Sequence, residues 1–586
     1  MAEPATRFFL QRAATRAGPI ALVTIDNGAD WTKPNTFGPA ALESLAEVLG
    51  RLRTRDWRGL VLTGKPFVFA AGADMTQFPG ITRERALEGS RAGHELFLRL
   101  RDLPFPTVAA INGACVGGGV EIALHCDVRT ISTAVRHFAS PECLLGLIPA
   151  WGGTQLIPRL VGAETAVRFV VENPMNRNRM LTGAKAFELG FADHLLEPVE
   201  FLDSSLALAM ELAERGLEHR DEADLSDAAE VVRKARLRLD DSVHGAAPAP
   251  YRALDLIEGA ATWSLEEGYR QEEDAVADLL PGPQAQASLY AFELVERRAK
   301  RGVGIPAVEP RPIRKVGIVG AGLMASQLAG LFLRRLEVPV VMRDLTDEQV
   351  ATGVEAARGM LEGPKAPFLS TLVSGATDWA VLEGCDLVLE AVFEELDVKK
   401  EVFAAVEAVV SPECMLATNT SSLSVTTMGS DLEHAERLLG MHFFNPVALL
   451  PLVELVRTRA TDDATLAIAA DVAKRLRKTG VLVRDAPAFV VNRVLTRMTT
   501  VLLDALEQGN SVEEIHDAIL EALADEIGRL LDDGVVAEAA DVDTCLILGA
   551  GFPFFLGGIT PHLDAAGVSE RVTGRRFARR RELAPT

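Results

Sequence analysis

The sequence predicts a multidomain α/β protein, with two α/β units, a helical segment between them and a small all-α domain at the end. Three observations lead there. Strand-like apolar runs alternate with helical periodicity from about residue 19 to Pro198. The same alternation restarts at Lys315-Val316-Gly317-Ile318-Val319, after a stretch from Pro306 to Pro312 that holds three prolines and reads as a linker. The segments between and after these regions read as helix. A chain of 586 residues exceeds one hydrophobic core and has room for three or four domains, and an apolar fraction of 48% can fill them.

The elements follow in order. Ile20 to Ile25 and Gly59 to Gly64 have the apolar, β-branched character of strands, with a helical pattern from about Gly38 to Arg53 between them. Thr107 to Ile111 and Val128 to Ile131 repeat the strand pattern around a helix that begins near Gly119. From about 201 to 300 the chain reads as charged helix, clearest at Leu206 to Arg215 and Gln284 to Arg298, and broken at Gly245 to Pro250. The second α/β unit runs to about Ala486, and the tail from Pro487 is again helical. The expected domains are 1–200, 201–310, 311–486 and 487–586.

Charge and cysteine usage exclude several classes. A net charge of −22 argues against nucleic acid and anionic membrane surfaces as partners. Six cysteines without a CxxC pair form no disulfide framework and suit a reducing cytoplasm. The N-terminus lacks the apolar core of a signal peptide. The longest nearly uncharged run, Cys545 to Ile559, is too short to span a membrane and is broken by glycines and Pro553. A cytoplasmic protein with no integral membrane segment and no metal site is expected.

Two sets of chemistry-bearing residues stand out. The first combines Phe69-Ala70-Ala71-Gly72-Ala73-Asp74, Gly117-Gly118-Gly119-Val120-Glu121 and Pro141-Glu142. Small residues let a backbone approach a ligand closely, and a glycine turn entering a helix aims free N–H groups at an anion. Glu121 falls in the first turn of that helix. Adding water across an α,β-unsaturated thioester needs amide donors at the thioester oxygen, a carboxylate to activate water and an acid to protonate the α-carbon. Two crowded carboxyls supply the last two, because crowding raises one pKa. Taken singly, an acid in a first helical turn usually complements the helix dipole and a glycine run is usually only a turn. The combination is what points to chemistry.

The second set opens at Gly320-Ala321-Gly322-Leu323-Met324-Ala325, preceded by an apolar strand and followed by a helical pattern. A second strand, Val338 to Asp344, ends in an acid placed to read the ribose hydroxyls of a dinucleotide. Ala325 stands at the third glycine position, which the pattern tolerates. Arg343 could accept a 2′-phosphate, but Asp344 disfavours it, so NAD is expected over NADP.

The first set, with Asn112-Gly113, Ala123 to Asp127, Leu145 to Pro149, Gly152-Gly153-Thr154-Gln155 and Leu181 to Ala186, resembles the crotonase (enoyl-CoA hydratase) family over about residues 15 to 200. The resemblance implies a crotonase-like spiral domain in which Ala73 and Gly118 donate the two oxyanion N–H groups and Glu121 and Glu142 form the hydratase pair, with isomerisation as a possible side activity. The second half is similar to the 3-hydroxyacyl-CoA dehydrogenase family through Cys385 to Glu394, Ala417 to Leu423, Met441-His442-Phe443-Phe444-Asn445-Pro446, Leu452-Val453-Glu454 and Phe489 to Arg493. This implies a Rossmann-type NAD-binding domain. His442 is the candidate base for the substrate hydroxyl, with Glu454 orienting its ring. By the family pattern Ser421 and Asn492 would hydrogen-bond the substrate, while Asn419, Glu394 and Lys399 would line the cofactor side.

The sequence departs from the family twice. Pro487-Ala488-Phe489 replaces Pro-Gly-Phe, and the C-terminal region has room for about one helical domain where fused relatives carry two. The expected function is a bifunctional β-oxidation enzyme of the type found as the α-subunit of fatty-acid oxidation complexes. It would act on acyl-CoA substrates, as an oligomer, with a thiolase as partner. The alternatives are a hydratase whose dehydrogenase half is impaired by the shortened C-terminus, and a non-catalytic acyl-CoA-binding subunit.

Overall fold

The computed structural model describes residues 5–53, 56–218, 220–299 and 302–577. It forms two compact units, the first reaching Leu289 and the second starting at Tyr290. Both are α/β, with helical regions alongside their sheets.

Among the described residues the first unit has nine strands: β1 (Arg7–Thr15), β2 (Gly18–Asp26), β3 (Gly59–Gly64), β4 (Phe67–Ala70), β5 (Thr107–Ile111), β6 (Gly113–Val116), β7 (Val128–Ser132), β8 (Phe138–Ala139) and β9 (His194–Leu196). Six make one sheet in the order β1-β2-β3-β5-β7-β9, and three make a second in the order β4-β6-β8. Each of β3, β5 and β7 is thus followed by a strand of the small sheet, so the chain winds between two layers. β3 and β5 are fully buried, which is why they read as continuous apolar runs. β1, which the apolar pattern does not reveal, is an edge strand paired only with β2, antiparallel; Phe8 is buried but Phe9 faces out. The turns entering β6 and leaving it require glycine. A methyl on Gly113 would lie 2.0 Å from the Phe67 carbonyl carbon, and one on Gly119 would lie 2.3 Å from the Ala70 carbonyl oxygen.

Four helices frame the site: α1 (Pro39–Leu52), α2 (Arg83–Arg101), α3 (Gly118–Leu124) and α4 (Gly153–Val161). The helical stretch after residue 200 also belongs to this unit. α5 (Phe201–Arg215) buries Phe201 and Ala209 against Ile20, Val61 and Val108 of the large sheet. α6 (Ala228–Val243) and α7 (Pro248–Gly259) flank the expected break, where His244 takes a left-handed conformation. α7 is tied back by Gln155, whose side-chain amide donates to the Leu256 carbonyl at 2.9 Å. α8 (Leu265–Leu279) is capped by Ser264 and buries Tyr269, Glu272, Glu273 and Val276, a helical stripe that includes two acids.

The second unit is built on β10 (Val316–Val319), β11 (Val340–Arg343), β12 (Val373–Ala376), β13 (Leu387–Glu390), β14 (Met415–Thr418), β15 (Leu438–Phe443), β16 (Leu452–Arg457) and β17 (Thr479–Arg484). Their order is β12-β11-β10-β13-β14-β15-β16-β17. All pairs are parallel except β15 with β16, and the register of that antiparallel pair sets His442 opposite Glu454. α9 (Leu323–Leu336) follows β10. The C-terminal helices α10 (Val491–Glu507), α11 (Val512–Asp532), α12 (Ala539–Cys545) and α13 (Ile559–Ala565) share one core with the sheet, in which Phe444, Leu452 and Val456 meet Phe489, Ile527 and Val542. Among the described residues no helix is long and apolar enough to cross a membrane. The run from Cys545 to Ile559 is largely helical, with a π-helical stretch at Leu546–Ala550 and a 3-10 turn at Phe554–Leu556, and is only partly buried. Arg575 and Arg576 each lie near one acid, Asp532 and Asp564 respectively, whereas Arg579 to Arg581 lie outside the described residues.

Candidate active sites

The first site lies at the ends of β4 and β6. Ala71 N–H donates to the Asn35 carbonyl and Asp74 N–H to Phe37, which fixes the turn that carries Ala73. This turn abuts the start of α3: a methyl built on Gly72 would lie 3.2 Å from the Gly118 nitrogen. Gly117, at φ +55°, starts α3, and a methyl there would lie 2.5 Å from Glu142 Oε1, so only glycine leaves room for that carboxyl. Ala73, Gly118, Glu121 and Glu142 all line one cavity of about 650 Å³, whose other walls are largely apolar and include Leu42, Phe78, Leu145 and Trp151. Two residues of the downstream helical segment, Val276 and Leu280, complete it.

Electrostatics separate these carboxyls from ordinary surface acids. Burial raises the proton affinity of Glu121 well above the usual carboxylate range, and the charges of Glu142 and Glu272 raise it further, against the Trp151 and Gly153 amides that donate to it. Burial also pushes Glu142 up, to about 7, opposed by the Ser140 hydroxyl that donates to Oε2 at 2.7 Å. A pair held this way retains a proton near neutral pH while offering a carboxylate, the combination that acid–base catalysis requires. Glu121 Oε1 accepts from Trp151 N–H (2.7 Å) and Gly153 N–H (3.0 Å), which fixes the carboxyl in orientation.

The second site lies in the second unit. His442 Nδ1 and Glu454 Oε2 are 2.7 Å apart, and both side chains are buried. Glu454 Oε1 accepts from the amides of Val490 (3.2 Å) and Val491 (3.0 Å) at the start of α10. Phe444 and Phe489 pack on the His442 ring. With Nδ1 engaged, Nε2 is the nitrogen left for a substrate. Asn419 Oδ1 accepts from Phe443 N–H at 2.9 Å, and Asn492 Nδ2 donates to the Ser421 carbonyl at 3.2 Å. Ser421 in turn donates both N–H (2.8 Å) and Oγ–H (3.3 Å) to Glu394. Lys399 Nζ joins Glu394 (3.2 Å) to the buried Glu390 (2.7 Å). The residues drawn from five sequence segments are therefore linked through hydrogen bonds rather than scattered.

The Gly320–Ala325 segment fits a dinucleotide. Gly320 has φ +114°, and a methyl there would lie 2.5 Å from the Ala391 carbonyl oxygen; a methyl on Gly322 would meet nothing within 4 Å. Gly322 starts α9 without a side-chain cap, so first-turn N–H groups remain available to an anion. Ala325 is fully buried in α9. Asp344 Oδ2 accepts from Ala321 N–H at 2.6 Å, which ties the end of β11 to the glycine turn. The Arg343 guanidinium stacks on Trp379, 3.7 Å from the ring centroid, and its Nε donates to the Thr377 carbonyl, so it is already occupied.

Comparison with known proteins matches two stretches of the chain to two families. Residues 15–247 match enoyl-CoA hydratase/isomerase, and residues 315–486 match the NAD-binding domain of 3-hydroxyacyl-CoA dehydrogenase. The chain is a fused hydratase–dehydrogenase. Among solved structures, it is similar to an (S)-3-hydroxybutyryl-CoA dehydrogenase from Ralstonia eutropha at 31% identity, covering 44% of this chain and 95% of that one with a TM-score of 0.33. It is also similar to FadB2 of M. tuberculosis at 28% identity, covering 46% of this chain and 99% of that one with a TM-score of 0.32. The fused hydratase–dehydrogenase is thus a lyase and an NAD-dependent oxidoreductase, a bifunctional enzyme of the fatty-acid-oxidation type.

Several residues that shape the two sites of the fused hydratase–dehydrogenase escape sequence reasoning. Trp151 is wedged between glycines: methyls on Gly93 and Gly118 would lie 2.1 Å and 2.7 Å from its ring. Its signal is a lone tryptophan beside two glycines at the start of α4. Glu390 ends an apolar strand and binds Lys399 and Thr418 Oγ1 (2.6 Å). An acid closing a fully apolar strand was the available signal. Glu272 reaches the first site from α8, a charged helix whose sequence does not mark which of its acids is buried.

Proposed function

We propose that the first unit hydrates a trans-2-enoyl-CoA to the 3-hydroxyacyl-CoA and that the second unit oxidises this product to the 3-ketoacyl-CoA with NAD. The observation that carries the reading is one cavity holding Glu121 and Glu142 beside the Ala73 and Gly118 turns. In this reading the amides of Ala73 and Gly118 receive the thioester oxygen as it gains charge. Glu121 and Glu142 hold a water between them. One carboxylate takes a proton as the water oxygen bonds to the β-carbon, and the protonated partner delivers a proton to the α-carbon.

In the second unit, His442 Nε2 takes the hydroxyl proton, and Glu454 holds the ring and stabilises the cation that forms. Ser421 and Asn492 orient the acyl substrate, and the Phe489 ring excludes water from one side of His442. Gly320, Gly322, Ala325 and Asp344 would hold NAD, with Glu394, Lys399 and Asn419 lining the cofactor side. When bound, NAD supplies the two-electron acceptor. Residues 1–200, 201–310, 311–486 and 487–586 serve respectively as hydratase core, helical support, cofactor domain and closing helices. A thiolase that consumes the ketone product, and an oligomeric state, belong to the same reading, and co-purification and light scattering test them.

A coupled assay tests the core of it. With crotonyl-CoA and NAD, the enoyl absorbance falls and NADH appears. Glu142→Gln stops loss of the enoyl absorbance but still forms NADH from supplied 3-hydroxybutyryl-CoA. His442→Gln does the reverse. Loss of both activities in each variant would contradict two separate centres, and enoyl loss without NADH in the unaltered enzyme would leave a hydratase alone.

A further inference from the structure

The turn between Ala150 and α4 is gripped by two acids that lie far apart in sequence, Glu121 and Glu272. Glu121 Oε1 takes the amides of Trp151 and Gly153. Glu272, from α8, takes the two that alternate with them: Gly152 N–H to Oε2 at 2.7 Å and Thr154 N–H to Oε1 at 2.8 Å, with the Thr154 hydroxyl adding a bond to Oε1 at 2.5 Å. Four consecutive amides are thus shared alternately by two carboxylates, so moving one acid moves the turn that holds the other. Glu272 has no exposed surface, and all its bonds come from donors. Its charge is balanced by His94 of α2, whose Nε2 lies 3.0 Å from Glu272 Oε2 and whose Nδ1 lies 3.2 Å from Glu273. Tyr269 stacks on the His94 ring with centroids 4.5 Å apart and reaches His125 Nε2 with its hydroxyl at 3.4 Å. His125 Nδ1 closes the circuit on the Glu121 carbonyl at 2.8 Å.

We propose that Glu272, with His94 as its counter-ion, is a positioning residue for hydration: it fixes the 151–154 turn so that Glu121 presents one set oxygen to the cavity, and it sets the charge that the Glu121–Glu142 pair experiences. This rests on the hydration reading above. The helical segment after residue 200 thereby supplies part of the first catalytic apparatus, not only a wall of its cavity. Other charged groups close to Glu272 are Arg159 on α4 and Glu273 beside it, the latter held by Arg91 at 2.9 Å. Neither bonds to the 151–154 turn.

The assignment predicts opposite electrostatic effects from the two partners. Glu272→Gln removes a negative charge that raises Glu121, while the His94 cation stays and still faces Glu273, so the glutamate pair loses its proton more readily. His94→Gln removes the cation and leaves Glu272 unbalanced, so the pair keeps its proton to higher pH. The test measures crotonyl-CoA hydration by the full chain across pH, with NADH formation from 3-hydroxybutyryl-CoA as the folding control in the same preparations. Glu272→Gln is expected to lower hydration kcat roughly ten- to hundred-fold, with KM within about three-fold, and to move the alkaline limb of kcat to lower pH. His94→Gln is expected to move that limb to higher pH. A general loss of folded enzyme would lower the amplitude without moving the limb. Should Glu272→Gln lose both activities, the direction of the His94→Gln limb decides. Limbs that stay in place, or move the same way in both variants, overturn the assignment. Failure of the unaltered enzyme to hydrate crotonyl-CoA would instead remove the underlying reading.

Discussion

Glu454 serves two structures with one carboxyl group. Oε2 holds His442, and Oε1 accepts the first amides of α10, so His442 and the closing helices share an anchor. The turn that makes this possible is backbone-strained. Ala488 and Phe489 have φ of +60° and +52°, a region that non-glycine residues enter at a cost. Glycine enters this region of backbone space without that cost. Ala488→Gly should therefore leave NADH formation unchanged and shift the second unit's stability by no more than about 1 kcal/mol, while the β-branched Ala488→Val should cost about 2 kcal/mol or more, read as a lower denaturant midpoint. His94 gives a pH prediction. Burial alone would push its pKa down, but the hydrogen bonds to Glu272 and Glu273 outweigh it and raise it to about 9. Because the folded value exceeds the unfolded one, the stabilisation is complete below the ordinary value of 6.5 and is lost as pH rises through 9. The first unit should lose on the order of 3 kcal/mol over that window, from about 1.4 kcal/mol per pKa unit. His94→Gln should flatten the dependence in thermal denaturation followed against pH.

Elements show what can be read from sequence and what cannot. β3 and β5 have the bounds their apolar runs predict, since strands buried on both faces have no other signature. β1 was illegible because an edge strand with one neighbour needs little apolar alternation. The glycines of the first site were legible as a pattern, and the structure gives each a reason. Gly119→Ala would drive a methyl into the Ala70 carbonyl and separate α3 from β4. It should cost roughly 3 kcal/mol or more and abolish hydration, with NADH formation from 3-hydroxybutyryl-CoA as the readout that remains. Glu272 was illegible because nothing in a charged helix tells which acid turns inward. A buried acid is recognised by its partners, and those partners lie on α2 and α4, far away in sequence. Trp151 escaped for the same reason: its importance comes from Gly93 and Gly118, not from its own neighbours.

The whole molecule is two compact units with two chemistries on one chain. Ligand linkage separates them. NAD at about 100 times its Kd should stabilise the second unit by about 2.7 kcal/mol and leave the first where it was, read as movement of one of two calorimetric transitions. The alternating grip on residues 151–154 also bears on how such a gene can be cut and rejoined. The stretch that matches the hydratase family stops at residue 247, while Glu272 sits beyond it. A fragment excised at that limit would keep every glycine and both glutamates of the motif yet leave two of the four turn amides without their acceptor. Recombination that preserves hydration would have to carry the chain through Leu279, so the inheritable module is longer than the motif that advertises it.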